Sequence, residues 1–284
     1  MRYIIYGAGA VGGVIGGRLF QHGRDVVLIA RGPHLEALRR DGLTLQSASE
    51  TAQLQIAVAG SPAEIEFQDG DAILLTMKTQ DTEAALDELR AAAGASVPVF
   101  CAQNGVENER LALRRFQNVY GITVMLPAAH LEPGIVRSHA SNKSGMLDLG
   151  RYPSGSDEVA QAVADDLNAS DFSVIVHDAV MRWKHAKLLG NLGNALQAAC
   201  GFTPSGPRRQ GGSSWQSLAR GTGSIETDFL NGEISLLGRR HNVPTPANSA
   251  LQSIAARLVR EGAEPGSLTP DDVRSEIAAL TSSA

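Results

Sequence analysis

Gly7-Ala8-Gly9-Ala10-Val11-Gly12 follows the short apolar run 2–6 and precedes a helix-like stretch that stops near Gly23. Strand, glycine turn and helix in that order have a chemical use. Gly7 permits a tight turn, Gly9 lets backbone N–H groups approach a pyrophosphate, and Gly12 lets helix and strand pack closely, with the phosphates at the positive end of the helix. Placed after the first strand, the pattern predicts a dinucleotide-binding loop in which Ala8, Ala10 and Val11 contribute backbone. The next apolar run, 25–30, ends at Arg31, where an NAD-binding unit would place an acid for the ribose hydroxyls. A guanidinium there can take a 2′-phosphate bidentately and stack on adenine, so the expected cofactor is NADPH rather than NADH.

Lys78 and Asn104, the latter followed by Gly105, lie just past the ends of two further apolar runs, 71–76 and 97–101. In an open α/β sheet those ends border the crevice that binds ligands. A second chemical cluster lies in "WKHAKLLGNLGNALQAACG", residues 183–201. At about 100° per residue, Lys187, Asn191 and Asn194 share one arc of a helix, with Trp183 and Lys184 near its edges. Leucines and alanines surround the rest, so the helix is expected to be apolar almost all round and largely buried. A buried lysine is costly without a partner, so the polar stripe should face a ligand, a wet cavity or hydrogen-bonding groups.

The elements that must carry these residues are read from periodicity. Apolar, partly β-branched runs at 2–6, 25–30, 54–58, 71–76 and 97–101 predict strands, with a helix over 81–93 between the last two. Further β pieces are expected at 119–124, 134–139, 145–149 and 172–177. From residue 178 onward strands disappear and helical periods dominate. One helix is read from about residue 217 or 224 through 239, ending at Asn242; taken alone, its Glu226 reads as a solvated acid. A last helix has Thr269 as cap and Pro270 at its first position. The expected fold is α/β, an N-terminal Rossmann-type doubly wound sheet over residues 1–177 followed by an all-helical domain over 178–284.

A chain of 284 residues should bury roughly three quarters of its unfolded surface and suits two domains. Its formal charge of -5 offers no global basic field for nucleic acid or anionic membrane, so anion binding must be local. Cys101 and Cys200, the two cysteines, lack metal-ligand spacing, and no metal site or disulfide is expected. No run reaches transmembrane length and the N-terminus lacks a signal-peptide pattern, so a cytoplasmic location is expected. The apolar faces of the helical half are compatible with a homodimer.

Taken together, GAGAVG at 7–12, Arg31, Lys78 in "TMK", Asn104 in "QNG", the 183–194 stretch, Ser214 in "SSWQS" and "IETDFLNG" at 225–232 resemble the ketopantoate reductase (2-dehydropantoate 2-reductase) family. Its members reduce a 2-oxo acid with NADPH. The resemblance implies that Arg31 and Lys78 hold the 2′-phosphate and that Asn104 sits where nicotinamide and substrate meet. It implies Lys187 as the catalytic lysine, Asn191 and Asn194 as substrate-binding amides, Ser214 on the substrate carboxylate and Glu226 on its hydroxyl. Lys184 stands closer to the family's tryptophan-to-lysine spacing, whereas Lys187 keeps the family's spacing to Asn191, which favours Lys187. The "GFTPSGPRRQGG" stretch after Cys200 replaces a longer, mostly helical segment of the family.

The implied activity is that of an NADP-dependent oxidoreductase acting on CH–OH, reducing the small 2-oxo acid 2-dehydropantoate to pantoate. Lys187 as ammonium would polarise the carbonyl and deliver the proton, with the three asparagines orienting the substrate. The alternatives are a reductase of another small 2-oxo acid or imine, and a catalytically weak NADP(H)-binding sensor.

Overall fold

Neighbouring residues of the first strand, β1 (Arg2–Tyr6), enter different cores: Tyr3 and Ile5 belong to one hydrophobic cluster and Ile4 to another. Side chains alternate across a strand, so a sheet covered on both faces needs continuous apolar runs. That is why the run 2–6 shows no polar alternation. The structure is a computed structural model that describes residues 1–201, 212–221 and 223–282, and the chain divides into two units, Met1–His185 and Ala186–Ala284.

In the first unit β1 is followed by α1 (Ala10–Gln21), β2 (Asp25–Ile29), α2 (Gly32–Asp41), β3 (Leu43–Gln46), β4 (Thr51–Leu54) and β5 (Ala57–Ala59). Next come β6 (Asp71–Leu75), α3 (Thr82–Ala92), β7 (Val99–Cys101), α4 (Asn108–Leu113) and β8 (Val119–Met125). The unit continues with β9 (Ala128–Ala129), β10 (Ile135–Ser138), β11 (Gly145–Arg151), α5 (Glu158–Ala169) and β12 (Phe172–Ser173). The main sheet runs β12-β11-β8-β7-β6-β1-β2-β5, parallel throughout except between β11 and β8. Its order on either side of β1 is the doubly wound one, with the chain reversing direction of travel at β1 and β6. A small sheet, β4-β3-β10-β9, lies apart from it.

Two expected strands are corrected. The run 54–58 is divided: β4 ends at Leu54 in the small sheet, and β5 begins at Ala57 on the edge of the large one. Leu54 and Ile56 are both buried in the same cluster, so the alternation read as one strand is satisfied across a bend. The run 172–177 keeps only β12 and a single bridge from Val176 to Leu149. Side chains have taken over its backbone groups: Asn168 bonds both the N–H and the carbonyl of Val174, and Asp148 accepts from the N–H of Ile175.

From α6 (Val180–Asn191) onward the described residues are helical, through α7 (Gly193–Cys200), α8 (Ser213–Ala219), α9 (Asn231–His241), α10 (Pro246–Glu261) and α11 (Pro270–Ser282). The boundary between the units falls inside α6. Ala199, Cys200, Ile254, Leu258 and Val273 form the core of the helical unit. The helix expected from residue 217 or 224 is instead α8, a 3-10 turn at Glu226–Phe229 and α9. Asn242 ends α9 in the left-handed conformation, as its type allows. At α11, Thr269 and Asp272 bond each other's backbone N–H reciprocally, the expected cap. The sequence "FTPSGPRRQG" lies outside the described residues. No described helix is long and apolar enough to cross a membrane.

Candidate dinucleotide site and the lysine helix

The three glycines of the loop do different work. Gly7 sits at φ +109°, where a Cβ would come 2.8 Å from the Met77 nitrogen. A Cβ on Gly12 would run into the Gly7 carbonyl and the Thr76 hydroxyl and reach 2.9 Å from Ile5. Gly9 is required by neither: the nearest atom to its Cβ would be His130 Nδ1 at 3.9 Å. Protein packing therefore leaves room at Gly9, and an external group that needs close backbone approach explains the glycine. Beyond it α1 opens at Ala10, Val11 and Gly12 with no acid in its first turn, so its N-terminal N–H groups present uncancelled positive potential. These residues fit the pyrophosphate of a dinucleotide.

Two side chains that the sequence did not single out hold this loop. Buried His34 donates from Nε2 to the carbonyl of Ala8 at 2.7 Å and accepts from the Gly134 N–H at Nδ1, 2.9 Å, which sets its tautomer. The Thr76 hydroxyl lies 3.0 and 2.8 Å from the carbonyls of Tyr6 and Gly7. Gly9→Ala is expected to change unfolding free energy by less than about 0.5 kcal/mol yet weaken dinucleotide binding about tenfold or more. Gly12→Ala is expected to cost about 1–3 kcal/mol of stability through overpacking. Urea unfolding and calorimetric titration separate the two effects.

Arg31 caps the start of α2 with an exposed side chain, and its guanidinium donates to Asp81 at 2.8 Å. Asp81 ends the 3-10 turn Thr79–Asp81, whose N-cap is the half-buried Lys78. Arg31 and the Lys78 turn are thus brought side by side. A buried polar network joins that turn to Asn104. Gln103 donates to the Met77 carbonyl and to Thr82 Oγ1, at 3.0 and 2.7 Å, and Thr82 donates to Asn108 Oδ1 at 2.8 Å. Asn108 in turn donates to Thr79 Oγ1 and to the Asn104 carbonyl, both at 3.1 Å. The turns after β6 and β7 are therefore one hydrogen-bonded block, with Asn104 half-buried at its edge.

The two candidate lysines of α6 have different environments. Lys184 is buried in the first unit with its Nζ 2.6 Å from Glu109 Oε1, donating to the carbonyls of Gln103 at 2.8 Å and Ile122 at 3.2 Å. A third, longer bond runs to the Cys101 carbonyl at 3.4 Å, so three carbonyls take the three protons of the ammonium and Glu109 supplies its counter-charge. Gly121 of β8 leaves the slot in which the lysine lies, since a Cβ there would come 3.2 Å from Lys184 Cδ. Burial also pushes the adjacent Cys101 thiol well above its usual range, which makes it a poor nucleophile.

Lys187, one turn later and in the second unit, is half-buried, as are Asn191 and Asn194. The expectation of a helix buried almost all round is corrected: Leu188 is buried, but Leu189 is 63% and Trp183 51% exposed. Adjacent residues on a helix point about 100° apart, so the leucine pair straddles inner and outer faces. The stripe also spans two helices, because α6 ends at Asn191 and α7 begins at Gly193. Leu192 between them keeps right-handed helical backbone, and buried Asn231 donates to its carbonyl at 3.2 Å. Ser214, near the start of α8, is buried. Glu226, opening the 3-10 turn, is 7% exposed, which corrects its reading as a solvated acid.

A family model described as ketopantoate reductase PanE/ApbA matches residues 3–154, more than half of the chain. The chain belongs to this family. The model for the C-terminal part of ketopantoate reductases matches residues 205–259. Among curated relatives, the 2-dehydropantoate 2-reductase of Pyrococcus horikoshii is 30% identical over 191 residues, covering 67% of this chain and 61% of its own length. The chain thus spans about three fifths of that relative. The enzyme of the same name from Mesorhizobium japonicum is 29% identical, covering 92% of this chain and 98% of its own. The solved ketopantoate reductase family structure from Ralstonia eutropha superposes with a TM-score of 0.80 at 27% identity, covering 92% of this chain and 99% of that one. A D-mandelate dehydrogenase solved with NADH and anilino(oxo)acetate shares the fold, with a TM-score of 0.76 at 21% identity and 99% coverage of both chains.

Proposed function

We propose that this ketopantoate reductase family member reduces 2-dehydropantoate to pantoate with NADPH. The observation that carries the cofactor half is the loop at Gly9, where backbone is left open beside an uncapped helix terminus, with Arg31 and Lys78 on neighbouring turns. The substrate half rests on the family and on relatives whose names state that reaction. When bound, the nicotinamide supplies the hydride. Lys187 holds its ammonium against the substrate carbonyl, stabilises the negative charge that grows on oxygen, and gives that oxygen a proton which solvent then replaces. Asn104, Asn191 and Asn194 orient the substrate through amide groups that add no charge beside its carboxylate. Ser214 binds that carboxylate and Glu226 the hydroxyl. Arg31 and Lys78 hold the 2′-phosphate.

The test is oxidation of NADPH followed by absorbance with 2-dehydropantoate as the oxidant. Saturable turnover supports the proposal. Turnover confined to other 2-oxo acids or imines would replace the substrate, and tight NADPH binding without turnover of any of them would make the protein a sensor.

A further inference from the structure

Asp81 occupies the N-cap of α3, where an aspartate usually accepts from the first-turn N–H groups, yet its carboxylate makes no such bond. It reaches instead to the Arg31 guanidinium, 2.8 Å away, across 50 residues of sequence. Glu88 adds a second acid: it accepts from the Tyr6 hydroxyl at 2.6 Å and also acts on Arg31 electrostatically. Arg31, one of the two cations assigned to the 2′-phosphate, therefore faces two carboxylates.

Resting on the cofactor assignment above, we propose that Asp81 is the residue that sets how strongly the protein distinguishes NADPH from NADH. The pair is exposed, with 81% of the Arg31 side chain accessible, and exposed pairs are weak, so a 2′-phosphate can displace the carboxylate from the guanidinium. The displaced carboxylate stays beside the phosphate and repels it. With NADH the same carboxylate has no phosphate to oppose and can accept a hydrogen bond from a ribose hydroxyl, the role an acid plays in NAD-binding units. Asp81 thus lowers affinity for the phosphorylated ribose and raises it for the plain one.

Calorimetric titration of the full chain with adenosine 2′,5′-bisphosphate and with 5′-AMP measures this without turnover, and NADPH and NADH are titrated alongside. Asp81→Asn keeps the shape and removes the charge; it is expected to raise the ratio of bisphosphate to monophosphate affinity about tenfold, with Asp81→Ser doing the same. An unchanged ratio, or a fall because Asp81 is needed to aim Arg31, overturns the proposal. Arg31→Ala separates the two layers. If it lowers the ratio while Asp81→Asn leaves it unmoved, the Asp81 proposal alone fails. If Arg31→Ala leaves the ratio intact, the assignment of Arg31 to the 2′-phosphate fails with it.

Discussion

Lys187→Ala is expected to lower kcat for 2-dehydropantoate by about 10²–10⁴-fold while leaving NADPH affinity within about twofold. Reduction of a ketone places a full negative charge on an oxygen that begins with none, and an ammonium contributes most to stabilising it where water is excluded. Lys187 is half-buried on α6 in the second unit, whereas the glycine loop, Arg31 and Lys78 belong to the first. The loss should therefore fall on the chemical step and spare the binding of the dinucleotide. Steady-state kinetics combined with calorimetric titration of NADPH check it. A variant that keeps kcat, or that loses NADPH affinity in proportion, would remove Lys187 from the proton-donating role.

Lys184→Ala, three positions away, should fail differently, by destabilising the first unit by about 3–5 kcal/mol. The side chains of Lys184 and Glu109 are 2% and 0% exposed, so removing the ammonium leaves a carboxylate buried without its counter-ion. It also leaves the carbonyls of Gln103 and Ile122 without the donor they now share. The double variant Lys184→Met, Glu109→Leu removes both charges and should recover most of that stability, because well-packed apolar replacements of a buried pair are close to neutral. Urea unfolding of the two variants provides the comparison. If Lys184→Ala instead unfolds like the parent and has lost turnover, Lys184 is the reacting lysine. A purely structural role carries a functional echo, since Lys184 bonds the carbonyl of Gln103, the residue before Asn104.

Most of the elements that carry the candidate site were legible in the sequence. Strand, glycine turn and helix are local signals: each glycine's meaning depends on φ and on neighbours a few residues away, which is why residues 7–12 could be read before any contact was known. The same holds for the Thr269 cap and the left-handed Asn242. Arg31 was legible as a position, one residue past the apolar run 25–30. Its partner Asp81 was not, because an acid at a helix start reads as a cap. The burial of Glu226 was not legible for a related reason: a carboxylate in a mixed polar and apolar segment carries no mark of burial until its neighbours pack over it.

What the sequence by itself determined is the set of chemical groups and their order on the elements: the glycine loop before a helix, the strand-end cation and amide, the lysine with two amides at helical spacing, and the change from α/β to helix near residue 178. Only the tertiary structure decided which groups are committed to the fold. Lys184 and Lys187 are the same residue type one helical turn apart, and periodicity treats them alike. One meets Glu109 of α4 and carbonyls at the end of β7, in the turn after it and on β8, and the other does not lie in that slot. Likewise the Gln103–Thr82–Asn108–Thr79 block and the His34 clamp on Ala8 join residues 21 to 100 positions apart. Such bonds form once the sheet has closed the intervening chain, so their energies depend on a proximity that local composition does not encode.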